Sequence, residues 1–351
     1  MIKKRKPFYF ILILLPFLSV ALSLFIGRYN VAAATVPDII TYKILTGLRE
    51  TTLFNGIIPE ITTMSTPIEQ SVVWDIRLPR AIGGIIVGGA LSVSGASLQG
   101  MFKNPLVDAG ILGVSSGAGF GAILAIILFN EVNVYTVLFA FIFGMIAVGF
   151  STLIAGIYKA NPTIMLVLGG VIVSSVFSSL ISLGKFVADP FNELPAITFW
   201  LMGSLASCSF KDIAISFIPI VIGTAGIVLM KWRINVLSMG ERDARTLGIN
   251  TRLNRGLVVT FASLSTAGAV SIAGTIGWVG LVIPHLGRMM VGTDNRKLIP
   301  VSLALGSFYL VIIDLLSRTL TGSEIPLGIL TSLLGAPFYV YVLKITKGSG
   351  W

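Results

Sequence analysis

Between two long apolar runs, residues 95–121 read GASLQGMFKNPLVDAGILGVSSGAGFG, with seven glycines, a proline, a lysine, an asparagine and an aspartate. Pro105 cannot donate a backbone hydrogen bond, and its ring disfavours helical backbone at Asn104. The side chains of Asn104 and Asp108 can replace hydrogen bonds that an interrupted helix gives up. The pattern therefore predicts a break between two helices. The role of that break depends on whether water or lipid surrounds the helices.

The composition places the chain in a membrane. Of its 351 residues, 55% are hydrophobic and 11% are charged, whereas about 25% of the residues in a soluble domain are charged. A single cysteine, Cys208, excludes an intramolecular disulfide and a multi-cysteine metal site. A single histidine, His285, argues against a histidine-based metal centre. We therefore expect a membrane protein with no metal site and no cofactor.

The apolar runs predict an all-α polytopic membrane protein, with residues 1–351 forming one transmembrane domain. A hydrocarbon core about 30 Å thick needs about 20 apolar residues per helix. The first run follows a basic N-terminus, as in a signal peptide, but it exceeds the usual core of about 7–15 residues, which favours a retained helix. A short interfacial helix is expected at 195–206. Ten candidate spans lie near residues 8–27, 81–101, 109–128, 134–158, 163–187, 212–232, 256–274, 278–291, 299–317 and 325–344.

The positions of Lys and Arg predict the orientation, because cytoplasmic segments of membrane proteins are enriched in these residues. With the N-terminus inside, 17 of the 25 basic residues fall in cytoplasmic segments, and ten spans return the C-terminus to the same side. The net charge of +10 is then a topology signal, so nucleic-acid binding is not expected. The polar segment 28–76 falls outside as a cap with some helix, and residues 233–255 form a cytoplasmic loop.

A short motif that occurs twice in the chain suggests an internal repeat. GALSVSG (89–95) in the second span and GAVSIAG (268–274) in the seventh share the pattern G-A-x-S-x-x-G. In the ten-span arrangement these two helices run in opposite directions, as in the five-plus-five inverted repeats of transporters. Small residues recur in any packed membrane helix, so the repeated motif supports a transporter only together with the number of predicted spans. KNPLVDAG (103–110) is then either a tight cytoplasmic turn or a turn that lines a pathway.

No nucleotide-binding loop is present. GAGFG (117–121) has no preceding strand, and the pattern G-x-x-x-x-G-K-[ST] does not occur in the chain. Energy for transport must therefore come from an ion gradient or from a partner protein. No serine–histidine or paired-aspartate arrangement occurs in the spans, so we expect no catalytic residues and no enzyme activity.

Three blocks of the sequence, in this order, resemble the permease family that imports iron chelates, haem and cobalamin. They are RLPRAIGGIIVGGALSVSGASLQGMFKNPLVDAGILGVSSGAGFGA (77–122), GTIGWVGLVIPHLGR (274–288) and EIPLGILTSLLGAPFYVYVL (324–343). The resemblance implies a type II ABC importer in the cell membrane of a prokaryote, with both termini cytoplasmic. Two permease copies, expected here as a homodimer, would enclose one channel. Two cytoplasmic ATPase subunits and an external substrate-binding protein would complete the importer.

The resemblance also implies roles for particular residues. The segment 239–250 resembles the coupling helices that dock on the ATPase, with contacts at Glu241, Arg242, Ala244, Leu247 and Gly248. Docking of the binding protein is implied at Arg77, Arg80 and Arg318; for Arg77 and Arg80 the alternative is that they only anchor the end of a membrane helix. The cytoplasmic gate is implied at Asn104, Leu106, Asn161 and Thr163.

Three features remain open to more than one interpretation. Asp314 lies deep in an apolar run, and we expect an i, i+4 ion pair with Arg318; as an unpaired acid it would instead favour an ion-coupled secondary transporter. His285 is expected to be structural. A serine face in the fifth span suits either channel lining or helix packing: Ser174, Ser175, Ser178 and Ser179. An iron chelate is the expected cargo because it is the commonest for this scaffold, with cobalamin or an oxyanion such as molybdate as alternatives.

Overall fold

The computed structural model describes residues 6–50, 62–157 and 162–346, and no strand occurs within these ranges. A π-helical segment, Ser71–Arg77, leads directly into the fourth helix, and a 3-10 turn, Ala109–Leu112, precedes the fifth. The helices are α1 (Lys6–Phe25), α2 (Thr35–Arg49), α3 (Pro67–Gln70), α4 (Leu78–Phe102), α5 (Val114–Phe129), α6 (Val134–Ile157), α7 (Pro162–Val187), α8 (Glu193–Leu201), α9 (Phe210–Met239), α10 (Glu241–Thr246), α11 (Thr251–Ala273), α12 (Val279–Val291), α13 (Asn295–Thr319) and α14 (Leu327–Thr346).

The helical prediction is confirmed over the described residues. By length and composition, six described segments could cross a membrane: Pro67–Phe102, Val134–Ile157, Ile164–Val187, Phe210–Met239, Thr251–Ala273 and Asn295–Thr319. Four shorter apolar helices lie at Ile11–Phe25, Val114–Phe129, Val279–Val291 and Leu327–Tyr341. These segments coincide with the candidate spans, and α8 coincides with the expected short helix. The number of crossings and the five-plus-five repeat stay predictions.

Several helix boundaries differ from the sequence-based expectation: α8 ends at Leu201 rather than at residue 206, α13 begins at Asn295 rather than at residue 299, and the end of α9 differs further. The sixth span was expected to end at residue 232, where Lys231 and Arg233 appear, but α9 continues to Met239. Apolar packing explains the extension, because Ile234 and Leu237 in the added turns are buried. The expected loop 233–255 is therefore mostly helical, and its non-helical parts are confined to the surroundings of α10.

Helix α4 lies at the centre of the fold, where it packs against α9, α11, α12 and α13. Glycines on α4 permit these contacts, because small residues let helix backbones approach closely. A Cβ at Gly95 would lie 2.0 Å from the carbonyl oxygen of Gly280, and one at Gly88 would lie 2.2 Å from that of Gly306. The two copies of the repeated motif lie on α4 and α11, which pack against each other: the Ser94 hydroxyl of α4 donates to the Ala262 carbonyl of α11 at 3.2 Å.

We expect Gly95→Ala to destabilise the protein by about 1–3 kcal/mol, the usual cost of overpacking a tight core. The matched control is Gly149→Ala in α6, where a Cβ would meet no atom within 4 Å. Alanine is favoured over glycine inside a helix by about 0.5–1 kcal/mol, so the control should be slightly more stable. Thermal unfolding in detergent measures both effects, and equal melting temperatures for the two variants would contradict the close-packing argument.

Candidate functional site

Polar residues concentrate at two ends of the helical bundle. The Arg80 end comprises Arg77, Arg80, Asp314, Arg318 and the C-terminus of α1. The Gly240 end comprises the turn after α4, residues 103–108, together with Gly240 and α10. The sequence predicts the first end to be external and the second to be cytoplasmic.

At the Arg80 end, buried charges link α4 to α13. Arg80 Nη2 lies 2.8 Å from Asp314 Oδ1, and Arg80 Nη1 lies 2.8 Å from Glu324 Oε1. The expected pair between Asp314 and Arg318 is also present, with 3.6 Å between Oδ2 and Nε. The Asp314 carboxylate is thus held by two guanidinium groups. Asp314 is therefore not the unpaired acid that would favour an ion-coupled transporter.

The other arginines at this end hold the C-terminus of α1. Arg77 Nη1 donates to the Leu24 carbonyl at 2.7 Å, and Arg318 Nη2 donates to the Ser23 carbonyl at 2.6 Å. The last carbonyls of a helix lack intrahelical partners and carry partial negative charge, so cationic donors stabilise them. The first helix is therefore tied to both α4 and α13.

The three arginines for which the resemblance implied docking are buried. Arg77, Arg80 and Arg318 are only 2%, 2% and 5% exposed, and their guanidinium groups contact atoms of this chain. Their docking role stays a prediction. The sequence analysis missed Arg28, an exposed residue whose guanidinium donates to the carbonyls of Arg318, Gly322 and Thr321.

At the Gly240 end, the turn after α4 is built as the opening stretch of sequence indicated. Lys103 has φ +52° and closes α4 in the left-handed conformation. Asn104 Oδ1 then accepts a hydrogen bond from the Leu106 amide at 2.9 Å, and Asp108 Oδ1 accepts one from the Gly110 amide at 2.9 Å. The Leu106 side chain is 61% exposed at the tip. We call residues Asn104–Asp108 the gate turn.

The second half of the implied gate is only partly described. Asn161 lies outside the described residues, as does the side chain of Thr163, although the Thr163 backbone falls in the first turn of α7. The gate therefore stays a prediction that rests on Asn104 and Leu106.

The residues for which the resemblance implied contact with the ATPase differ in their exposure. Arg242, Leu247 and Gly248 are exposed, and Gly248 has φ +77°, a conformation that glycine adopts without strain. Glu241 is half-buried and pairs with Arg255 at 3.2 Å and with Arg245.

Ala244 is fully buried, and its expected role as a contact stays a prediction. A helix as short as α10 needs one face packed on its own protein, and Ala244 provides it. Two exposed apolar residues beside α10 were missed by the sequence analysis: Met239 at 55% and Leu253 at 58% exposure. We call Met239, Arg242, Leu247, Gly248 and Leu253 the coupling surface.

Beneath the gate turn, polar side chains connect the ends of four helices. Gln99 of α4 donates to the Gly280 carbonyl at 3.0 Å and accepts from Arg288 of α12. Asn235 of α9 accepts from the Asn295 amide at 2.7 Å and donates to Asp294, the N-cap of α13, at 2.6 Å. The hydrogen bond from Arg296 is the main reason that the pKa of Asp294 lies below its usual value. Asp294 is therefore a charged anchor at neutral pH.

Helix α7 presents an exposed hydroxyl face. Ser175, Ser178, Ser179 and Ser182 are exposed, whereas Ser174 is half-buried. The hydroxyls of Ser175, Ser179 and Ser182 donate to the carbonyls of Val171, Ser175 and Ser178 of the same helix, at 2.9–3.0 Å. The face is thus polar but uncharged, and three of its four exposed hydroxyls already donate to backbone carbonyls.

A cavity of about 140 Å³ opens beside α8. It lies at the Arg80 end, because Cys208 in the segment after α8 contacts the Pro79 carbonyl at the start of α4. Its lining is uncharged and includes Val132, Phe199, Trp200, Ser204 and Ser207. Among the described residues, no group of three or more His, Cys, Asp or Glu side chains could hold a metal ion.

The comparisons with known proteins cover nearly the whole chain. The molybdate import system permease protein MolB of Haemophilus influenzae is 38% identical over 96% of this chain and 95% of its own length. An iron chelatin transport system permease protein of Helicobacter pylori is 42% identical over 79% of this chain and 83% of its own. A solved structure described as an inward-facing conformation of a metal-chelate type ABC transporter superposes with a TM-score of 0.80. It is 36% identical and covers 95% of this chain and 98% of its own. With residues 13–344 matching, the chain belongs to the FecCD transport family.

Proposed function

We propose that the chain is the transmembrane permease subunit of an ABC importer, with two ATPase subunits at the Gly240 end and an external binding protein at the Arg80 end. The observation that carries the proposal is the exposed coupling surface, on a chain whose sequence contains no nucleotide-binding loop. Exposed Met239, Leu247 and Leu253 form an apolar surface beside a charged one-turn helix, which suits insertion into a groove on a partner. ATP hydrolysis then belongs to that partner.

The hydroxyl face of α7 supports a pathway between two copies of the chain. Four serines exposed on one membrane helix are better suited to water than to lipid, because polar surfaces in a bilayer normally face a cavity or another helix. Three of the four hydroxyls, those of Ser175, Ser179 and Ser182, are bonded to their own helix, so the face would be wetted without holding a solute tightly. We propose that two α7 faces enclose the channel of a homodimer, which the gate turn closes at its cytoplasmic end.

Docking of the binding protein is proposed at the exposed surface of the Arg80 end. Since Arg77, Arg80 and Arg318 are buried, the charged side chains available there include Arg28, Asp75 and the 28%-exposed Glu324. Rim charges of this kind orient a partner and speed its association more than they add affinity.

An iron chelate is the proposed cargo, and molybdate is the second candidate. The first is supported by the iron chelatin relative and by the metal-chelate type structure. The second is supported by the molybdate permease, which matches along nearly the full length of both chains. The uncharged cavity and the α7 face are compatible with a chelate that passes without being held by ion pairs.

Reconstitution in proteoliposomes tests the proposal. The chain, its ATPase subunits and the binding protein encoded beside it would be combined with either a radiolabelled ferric chelate or radiolabelled molybdate. We expect the ferric chelate to accumulate only when ATP and all three components are present. ATP-dependent accumulation of molybdate alone would replace the proposed cargo with the second candidate. Uptake by the chain alone, driven by an ion gradient, would overturn the ABC assignment.

A further inference from the structure

The cavity beside α8 has the size and the lining of a site for one aromatic ring. Its volume is about 140 Å³, and an engineered protein cavity of about 150 Å³ binds benzene. Phe199 and Trp200 supply aromatic surface, and Val132 and Ile272 supply aliphatic surface. None of the described residues that line the cavity is charged. An anion in such a site would be desolvated without a cation to pair with, which is costly, whereas a neutral ring fits.

Two serines add hydrogen-bond donors to this apolar lining. Ser207 is exposed and Ser204 is half-buried. Ser204 Oγ accepts a hydrogen bond from the Ala206 amide at 3.0 Å, and its own O–H remains available to donate. A ring that carries acceptor oxygens could therefore place its apolar part in the cavity and bond its oxygens to these hydroxyls.

The wall formed by the segment after α8 is fixed by backbone contacts. The Ser204 amide donates to the Ala273 carbonyl at the end of α11, and the Leu327 amide at the start of α14 donates to the Gly203 carbonyl, both at 2.8 Å. Gly203 has φ +75°, which glycine adopts without strain. Sites for small molecules are usually preformed in this way, because a rigid wall does not have to be ordered when the ligand binds.

The cavity lies beside the helix that carries the exposed hydroxyl face. Trp200 belongs to a buried apolar cluster against which Leu201 of α8 and Ile181 of α7 also pack. Ile181 is adjacent in sequence to Ser182, the last serine of that face. A solute at the outer part of the proposed pathway would therefore be near the cavity.

We propose that this cavity binds an aromatic ring with two adjacent oxygen atoms, the catechol group of an iron chelate. The ring would pack against Phe199 and Trp200, and its oxygens would accept hydrogen bonds from Ser204 and Ser207. A catechol holds ferric iron through these two oxygens, which can still accept hydrogen bonds in the complex. The inference rests on the proposed function and narrows its cargo to a class of chelate. Molybdate, a dianion without a ring, should not bind here.

Calorimetry on the purified full-length chain in detergent tests the site without transport, with catechol itself as the probe. We expect saturable binding to the native chain and loss of binding in Ala206→Leu, because Ala206 lines the cavity and is exposed, so a larger side chain would fill the space. Ala214→Leu is the matched control, since Ala214 is an exposed alanine of α9 outside the lining. Removing both hydroxyls, in Ser204→Ala with Ser207→Ala, should weaken binding several-fold. Thermal unfolding checks that each variant is folded.

Three results would overturn the inference. The first is a native chain that does not bind catechol, or binding that Ala206→Leu leaves unchanged. The second is toluene binding as tightly as catechol, which would indicate a purely apolar occupant such as a side chain of a partner protein. The third is molybdate displacing catechol from the native chain.

The assembled importer supplies a second test, in which a ferric catecholate is compared with a ferric hydroxamate that has no aromatic ring. We expect Ala206→Leu to lower uptake of the catecholate several-fold relative to the hydroxamate, and Ala214→Leu to keep the native ratio. Equal reductions, or import of the hydroxamate alone by the native complex, would overturn the inference and leave the importer assignment intact. If the native complex imports neither chelate, the proposed cargo fails, and the calorimetry alone decides whether the cavity takes the ring.

Discussion

Asp314→Asn is expected to lower the free energy of unfolding by about 3–5 kcal/mol, the usual cost of removing one partner from a buried ion pair. Asp314 is fully buried and lies between Arg80 and Arg318, which are 2% and 5% exposed. Glu324 would still neutralise Arg80, but Arg318 would lose its only ion-pair partner among the described residues. An uncompensated charge would then remain beside the end of α1.

The control for this prediction is a pair with the same chemistry at the protein surface. Arg296 and Asp294 are bonded at 3.0 Å, but their side chains are 58% and 25% exposed. Exposed pairs contribute about 0–1 kcal/mol, so Arg296→Met should have little effect. Unfolding in detergent by denaturant measures both variants. If Asp314→Asn costs no more than Arg296→Met, the cluster does not hold the helices together, and a role in docking would regain support.

The positions of the helices could be predicted from the sequence because hydropathy alone determines them. Runs of about 20 apolar residues have no other place than a membrane or a core, and the break at Asn104 and Pro105 follows from the local chemistry of two side chains. The same dependence on local sequence explains the error at the end of α9. Charges at Lys231 and Arg233 suggested an end to α9, whereas burial of Ile234 and Leu237 by distant helices extends it.

The candidate site could be predicted only in part, because exposure depends on tertiary contacts. Arg80 and Asp314 are 234 residues apart, and no local pattern shows that they meet. The i, i+4 spacing of Asp314 and Arg318 revealed the weaker of the two contacts of this carboxylate. On α10 the sequence identified the segment, but whether Ala244 or Leu247 faces outward depends on how the short helix packs.

The largest functional effect is expected for Leu247→Asp on the coupling surface. Leu247 is 54% exposed and lies between Arg242 and Leu253, which are also exposed. Burial of an aspartate in the proposed apolar contact would leave an unpaired charge in the interface, which is costly. Loss of a central interface residue commonly costs 2 kcal/mol or more, which corresponds to roughly 30-fold weaker association or greater. ATP-dependent uptake should fall as the association with the ATPase weakens.

Leu320→Asp is the matched control, because Leu320 is 58% exposed immediately after α13, near the Arg80 end. Affinity for the purified ATPase subunits would be measured for both variants in detergent, with thermal unfolding as the check on folding. The coupling assignment requires that Leu247→Asp loses affinity while Leu320→Asp keeps it. Equal affinities would place the ATPase elsewhere on the chain. A selective loss would show that the exposed apolar residues beside α10 are the contact through which a separate ATPase acts on a chain that has no nucleotide-binding loop.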